Sequence, residues 1–101
     1  MIRWTPTVNI AVAKNQEVIQ WAFELKEYLS SIMEQKGDVK IFIEPFGEPG
    51  KIHWMVDYEN LADLESAGKI LASDPGYQER VKALEGLILP GTVDKVFQAI
   101  G

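Results

Sequence analysis

The chain has 101 residues, of which 47% are hydrophobic and 25% are charged, and its formal net charge at pH 7 is −5. This length suits one domain with a single core, and the composition is that of a globular rather than a disordered chain. The acidic balance argues against a nucleic-acid partner, because phosphate recognition needs concentrated lysine and arginine. We therefore predict one globular domain over residues 1–101.

The lack of cysteine excludes a disulfide framework, a thiolate nucleophile and a zinc–thiolate site. The first six residues lack the long apolar core of a signal peptide, and no apolar run approaches the length needed to span a bilayer. The sequence therefore predicts a cytoplasmic protein that does not associate with a membrane.

A strand and a long helix are predicted first. Residues 2–13 alternate in the manner of a strand, and Pro6 is expected to confine its leading part to a sheet edge or an extended segment. Asn15 is a candidate cap for the helix that follows, and Lys36-Gly37 is expected to end it, since glycine tolerates the left-handed turn. The helix carries an apolar stripe over about four turns: Val18, Ala22, Leu25, Leu29 and Ile32.

A hairpin is predicted next. Residues 39–46 form its first strand and residues 51–58 its second. Glu48-Pro49-Gly50-Lys51 fits a type II turn, with glycine at the position of positive φ. Alternation along the second strand places four residues on one apolar face: Ile52, Trp54, Val56 and Tyr58. The other face holds His53 and Met55, so we expect both faces of this strand to be at least partly covered.

Two helices and a last strand complete the chain. Asn60 is predicted to cap a helix over residues 60–72, and Asp74-Pro75 to open a second helix over residues 75–85. The expected buried stripes are Leu61, Leu64, Gly68 and Leu71 on the first helix and Tyr77, Val81 and Leu84 on the second. Residues 86–91 are predicted to be an apolar connector and residues 92–100 the final strand.

The element order β-α-β-β-α(α)-β predicts an α+β fold of the ferredoxin-like, split βαβ type. Four antiparallel strands then carry the helices on one face of the sheet. The opposite face is not cleanly polar, because it still holds Phe42, Phe46 or Met55. An exposed apolar patch of this kind normally marks an interaction surface.

The central part of the sequence resembles a known family. The residues that carry the resemblance are Ile52-His53-Trp54, Glu59–Asp63 and Leu71–Gln78. Together they resemble the NIPSNAP-like branch of the dimeric α/β-barrel superfamily, in which a strand bearing histidine and tryptophan precedes an acidic helix and an Asp-Pro-x-aromatic-Gln segment. The resemblance implies that two ferredoxin-like sheets pack face to face, and we therefore predict a homodimer.

His53 is the only histidine and the natural candidate for acid–base chemistry, because its unperturbed pKa lies near neutrality. The alternative is an inert, hydrogen-bonded histidine at the dimer interface. A lone histidine with scattered carboxylates has no metal-ligand spacing, so no metal site is predicted.

Large aromatic residues are numerous for so small a domain and suggest an apolar pocket between sheet and helices. The alternative is that Trp21 and Trp54 simply fill the core. The resemblance adds Asn9, since monooxygenases of the superfamily place a polar residue on their first strand. The candidate ligand-binding residues are Asn9, Trp21, His53, Trp54, Tyr58 and Tyr77.

Haem enzymes of the same superfamily take an axial histidine from a later helix, whereas Pro75–Glu85 contains none, so no cofactor is predicted. Two functions remain open. The first is a dimeric module that binds a small apolar ligand or a protein partner without catalysis. The second is a small cofactor-independent, monooxygenase-like enzyme acting on an aromatic or apolar substrate, with His53 or a tyrosine transferring the proton. The lack of paired catalytic groups favours the module.

Overall fold

The computed structural model describes residues 1–33 and 39–101. Within them the chain forms four strands and three helices: β1 (Ile2–Ile10), α1 (Asn15–Ile32), β2 (Val39–Phe42), β3 (Lys51–Tyr58), α2 (Leu61–Ser73), α3 (Pro75–Lys82) and β4 (Ile88–Gln98). The strands make one antiparallel sheet in the order β2-β3-β1-β4. The predicted α+β, ferredoxin-like fold is therefore confirmed.

The hairpin between β2 and β3 forms as predicted, and Gly50 takes a φ of 84° in its turn. Its first strand is shorter than the predicted 39–46, because pairing ends at Phe42. Pro45 follows shortly after and has no N–H to donate to a ladder. Phe46 consequently lies in the connecting loop and is 94% exposed. The prediction that Phe42 and Phe46 share one face of a strand is therefore wrong.

The first strand occupies the centre of the sheet, so of the two alternatives for Pro6 the sheet edge is wrong and the extended segment is correct. β1 pairs with β3 on one side and with β4 on the other. The bridges to β3 run up to Trp4 and resume at Thr7 in the same register, so that the proline lies where the ladder is interrupted. The strand ends at Ile10 rather than at residue 13, because Ala13 adopts a φ of 64° in the turn before α1.

The last strand begins four residues earlier than predicted and ends at Gln98. Ile88 and Leu89 pair with Ile10 and Asn9, and the register then shifts before Val93 pairs with Thr7. An irregularity of this kind lets a strand bend without losing its pairing. Most of the predicted apolar connector over residues 86–91 is therefore part of the sheet.

The core lies between α1 and the inner face of the sheet. The four residues predicted to share one face of β3 are all buried. They pack against the α1 stripe, of which Val18, Ala22, Leu25 and Leu29 are buried. Helix α1 therefore covers the apolar face of β3, which is the inner face of the sheet.

Helix ends follow the predicted chemistry at two of three positions. The Oδ1 atom of Asn60 accepts the N–H of Asp63 at 2.9 Å, and Oδ2 of Asp74 accepts the N–H of Tyr77 at 2.7 Å. Asn15 is not a cap, because it is already the first residue of α1; the capping position is Lys14, which makes no side-chain cap. The predicted stop at Lys36-Gly37 lies outside the described residues.

The predicted stripes of the two shorter helices are only partly buried. Leu71 and Leu84 are buried, as is Ala67, whereas Leu61 is 49% and Val81 is 39% exposed. Gly68 is exposed, and α3 ends at Lys82, three residues before the predicted end.

Candidate functional site

A pocket of about 620 Å³ lies between the inner face of the sheet and the helices α1 and α3. This volume is in the range of pockets that hold small molecules. Its wall is mostly apolar: Trp4, Pro6 and Val8 from β1, Trp21, Leu25 and Leu29 from α1, Val39, Trp54 and Val56 from β2 and β3, and Leu71, Tyr77, Val81, Leu84 and Ile88 from the remaining elements. The fold therefore leaves an apolar space beside its core.

All three tryptophans of the chain line this pocket. The rings of Trp21 and Trp54 meet edge to face, with centroids 5.7 Å apart and planes at 88°. The Nε1 atom of Trp21 donates to the carbonyl of Arg80 at 2.7 Å, which ties α1 to α3. The indole N–H of Trp54 is buried and has no partner among the described residues.

The wall formed by α3 is held by a cluster around Tyr28. The Tyr28 hydroxyl donates to Oδ2 of Asp74 at 2.5 Å, and this bond is the main reason that the pKa of Asp74 lies below its usual value. The guanidinium of Arg80 stacks 3.7 Å from the centre of the Tyr28 ring and donates to the carbonyl of Gly76 at 3.1 Å. Because Tyr77 follows Gly76 in the chain and its own backbone N–H is bonded to Asp74, these contacts fix the position of Tyr77.

Tyr77 is the polar group of the aromatic wall. Burial raises its pKa, and the negative charge of Asp94 raises it further. Its hydroxyl makes no hydrogen bond to a described residue, and the only hydrogen bond of Tyr77 to another side chain is made by its backbone N–H. The hydroxyl is therefore available as a donor to a molecule in the pocket.

The mouth of the pocket lies between the end of α3 and strand β4. The lining residues at this side are exposed, in contrast to the buried wall beneath the sheet. They include the charged side chains Lys82, Glu85 and Asp94. The pocket thus combines an apolar interior with a polar rim, the usual anatomy of a small-molecule site.

The six residues predicted to bind a ligand divide between two faces of the sheet. Trp21, Trp54 and Tyr77 line the pocket. Tyr58 is buried on the same sheet face but outside the lining, and its hydroxyl has no partner within the described chain. Asn9 and His53 point to the opposite face, where the Asn9 amide lies 3.4 Å from the carbonyls of Pro90 and Gly91.

The six candidate residues leave out two further lining residues, Trp4 and Asp94. The alternation of Trp4, Pro6 and Val8 along β1 was the available signal for Trp4. No comparable signal existed for Asp94, because its position depends on the shift in the β1–β4 register.

On the opposite face, His53 is engaged through both ring nitrogens. Its Nε2 lies 2.7 Å from Oε2 of Glu44, and its Nδ1 lies 2.8 Å from Oγ1 of Thr7. The hydrogen bond from His53 lowers the pKa of Glu44, and the backbone N–H of Glu48 lowers it further. Residues 1–33 and 39–101 contain no cluster of three histidine, cysteine or acidic side chains that could hold a metal ion.

The rest of this opposite face mixes ion pairs with apolar side chains. Arg3 donates to both carboxylate oxygens of Asp57, at 2.7 and 3.0 Å. The exposed fractions of Phe42, Val93 and Phe97 are 42%, 44% and 52%. We call Phe42, Met55, Val93 and Phe97 the outer apolar patch, since the strand register places all four on this face.

No family model matches the chain, and no curated protein matches it in sequence. Solved structures do match its fold. An uncharacterized NIPSNAP-like domain protein from Burkholderia xenovorans superposes with a TM-score of 0.79 at 18% identity, over 98% of this chain and 84% of the other. A NIPSNAP family protein from Agrobacterium tumefaciens gives 0.78 at 20% identity, over 96% and 90%.

An antibiotic biosynthesis monooxygenase gives a TM-score of 0.75 at 14% identity, with 100% of both chains covered. The chain therefore has the ferredoxin-like α/β fold of NIPSNAP-domain and antibiotic biosynthesis monooxygenase proteins. This agrees with the resemblance predicted from residues 52–78. None of the three helices in the described chain is long and apolar enough to cross a membrane.

Proposed function

We propose that this protein is a NIPSNAP-like homodimeric module that binds a small apolar ligand between its sheet and helices, without catalysis. The observation that supports this most is the pocket of about 620 Å³, toward which every tryptophan of the chain is directed. Aromatic side chains contribute large contact areas to a bound molecule. Their concentration around one open space favours a binding role over a purely structural one.

The chemistry of the pocket favours binding over turnover. His53 lies on the other face of the sheet, with both nitrogens already hydrogen-bonded. Inside the pocket, burial and the charge of Asp94 raise the pKa of the Tyr77 phenol, which moves it further from neutrality. General acid–base catalysis usually needs a group whose pKa lies near the working pH.

One observation favours the alternative, a cofactor-independent enzyme acting on an aromatic or apolar substrate. The protonated Tyr77 beside Asp94 places one proton donor against the apolar wall. Tyr77→Phe separates the two functions. For the binding module, this variant retains its ligand within a few-fold and no chemical change of the ligand is seen with either protein. Conversion of the ligand by the wild type, lost in Tyr77→Phe, would establish the enzyme instead.

Ligand binding is tested with N-phenyl-1-naphthylamine, a neutral apolar fluorophore. We expect saturable binding at one site per chain, accompanied by shifts of the three indole N–H resonances. Val81→Trp places a large ring in the pocket wall and should abolish binding. Val12→Trp is the matched control, because Val12 is 89% exposed and lies outside the pocket. Equal binding by both variants, or no saturable binding by the wild type, would contradict the proposal.

The outer apolar patch supports the homodimeric part of the proposal. Phe42 and Phe97 extend from the two edge strands of the sheet, so the apolar surface spans its width. Exposed surfaces of this kind are typical of protein contacts. A second copy placed face to face would bury the patch and leave the helices on the outside.

Sedimentation equilibrium tests the dimer. We expect a mass twice the chain mass of 11.4 kDa at micromolar concentration. The double variant Phe42→Glu/Phe97→Glu should be monomeric, because it places charges within the contact. Phe23→Glu is the control, since Phe23 is 58% exposed on α1, away from the outer face. A wild-type monomer would refute the dimer, and equal dissociation in the control would refute the outer apolar patch as its contact.

A further inference from the structure

The pocket wall offers aromatic rings from several directions. Trp4 comes from β1, Trp21 from α1 and Trp54 from β3, and Tyr77 adds a ring from α3. Aromatic faces carry partial negative charge and attract a cation within about 6 Å of the ring centre. A positively charged molecule held among these rings is therefore bound more tightly than a neutral molecule of the same shape.

The charged residues at the mouth of the pocket also favour a positively charged ligand. Asp94 and Glu85 are carboxylates, and Lys82 is the single basic residue among the described lining residues. Asp94 is fixed on strand β4 opposite Pro6, close enough to Tyr77 for its charge to act on the phenol. Lys82 is exposed and can extend its flexible side chain into water.

The other cation of α3, Arg80, is not among the residues that line the pocket. The guanidinium of Arg80 is stacked on Tyr28 and hydrogen-bonded to Gly76. The chain as a whole carries a net charge of −5, which also favours the approach of cations.

We infer that the pocket selects an apolar organic cation, a molecule that joins a hydrophobic body to a tertiary or quaternary ammonium group. The inference rests on the proposed ligand-binding function and gives that function its ligand class. The hydrophobic body packs against Leu25, Leu29 and the indoles, and the ammonium group lies between the aromatic rings and the carboxylate of Asp94.

Three probes of similar size and different charge test the inference: (2-naphthylmethyl)trimethylammonium, 2-naphthylmethanol and 2-naphthylacetate. Titrations at low salt follow the indole N–H resonances of the three tryptophans. We expect the dissociation constant of the ammonium probe to be about tenfold lower than that of the alcohol. The acetate should bind more weakly than both, and added salt should weaken only the ammonium probe.

Charge variants identify the responsible groups. Asp94→Asn and Glu85→Gln should each weaken binding of the ammonium probe by about three- to tenfold, and should weaken binding of the alcohol much less. Glu17→Gln and Glu65→Gln remove the same charge from exposed helix positions outside the lining and serve as controls. Lys82→Gln should lower the dissociation constant of the ammonium probe, because it removes a positive charge from the mouth of the pocket.

The outcomes separate this inference from the function on which it rests. Equal affinity for all three probes, or a preference for the acetate, overturns the cation selectivity and leaves apolar binding intact. Loss of ammonium binding in the control variants to the same extent overturns the role of Asp94 and Glu85. Failure of every probe to shift the indole resonances overturns both the selectivity and the proposed function.

Discussion

The Nε2 atom of His53 lies 2.7 Å from Oε2 of Glu44, on the sheet face that turns away from the pocket. Glu44 belongs to the loop that leaves β2, and His53 to the strand that follows it. The hydrogen bond lowers the pKa of Glu44, so the loop is anchored to the sheet by an ionised carboxylate.

This anchor predicts a pH-dependent contribution to stability. Because the pKa of Glu44 is lower in the folded chain than its ordinary value of 4.5, its contribution is present above that value and is lost as the pH falls through the folded pKa. Urea unfolding should show Glu44→Gln less stable than the wild type at neutral pH. The difference should shrink as the pH falls below 4.5 and vanish once the Glu44 carboxylate is protonated in the folded chain as well.

Glu65→Gln is the control for that experiment, since Glu65 is exposed on α2 and its side chain makes no hydrogen bond within the described chain. Its difference from the wild type should be small at neutral pH and in acid. A Glu44→Gln difference that stays constant from neutral pH to acid would show that the ionised carboxylate is not what anchors the loop.

Replacing two glycines on neighbouring helices by alanine should change the stability of the chain in opposite directions. A Cβ atom at Gly76 would clash with the Tyr28 hydroxyl, which is already hydrogen-bonded to Asp74. Gly76→Ala should therefore destabilise the chain by about 1–3 kcal/mol through overpacking. A Cβ atom at Gly68 meets nothing within 4 Å, so Gly68→Ala should stabilise α2 by about 0.5–1 kcal/mol. Thermal unfolding of both variants measures this; the same sign for both would refute it.

Replacing two asparagines near helix starts by alanine should change the unfolding free energy by different amounts. Asn60 accepts the N–H of Asp63, and Asn60→Ala should cost about 1 kcal/mol of unfolding free energy. Asn15 is the first residue of α1 and caps nothing, so Asn15→Ala should be neutral or slightly stabilising, by under about 0.5 kcal/mol. Chemical denaturation compares them. A loss at Asn15 equal to that at Asn60 would mean that both residues act as caps.

The core predicts a third contrast, between two isoleucines. Ile52 is completely buried against α1, and Ile52→Ala should lower the unfolding free energy by about 2–5 kcal/mol. Ile70 is 41% exposed on α2, and Ile70→Ala should cost less than about 1 kcal/mol. Equal losses in urea unfolding would contradict the assignment of the inner face of β3 to the core.

Local features of the sequence determined the order of elements and several of their ends. The four-turn stripe of α1, the caps at Asn60 and Asp74 and the turn at Gly50 were all predictable. Each depends on residues only a few positions apart, where side-chain periodicity and capping leave few alternatives. The same local signals failed at Asn15, because a capping residue and a first helical residue differ by one position.

The tertiary structure decided which distant residues meet. Alternation along β3 separates two faces but does not say which one meets the helices, so only the fold directs Trp54 to the pocket and His53 away from it. Strand pairing likewise puts Pro6 in a central strand and brings Asp94 to the pocket mouth. Register and packing join positions dozens of residues apart, and these contacts leave no periodic trace in the sequence.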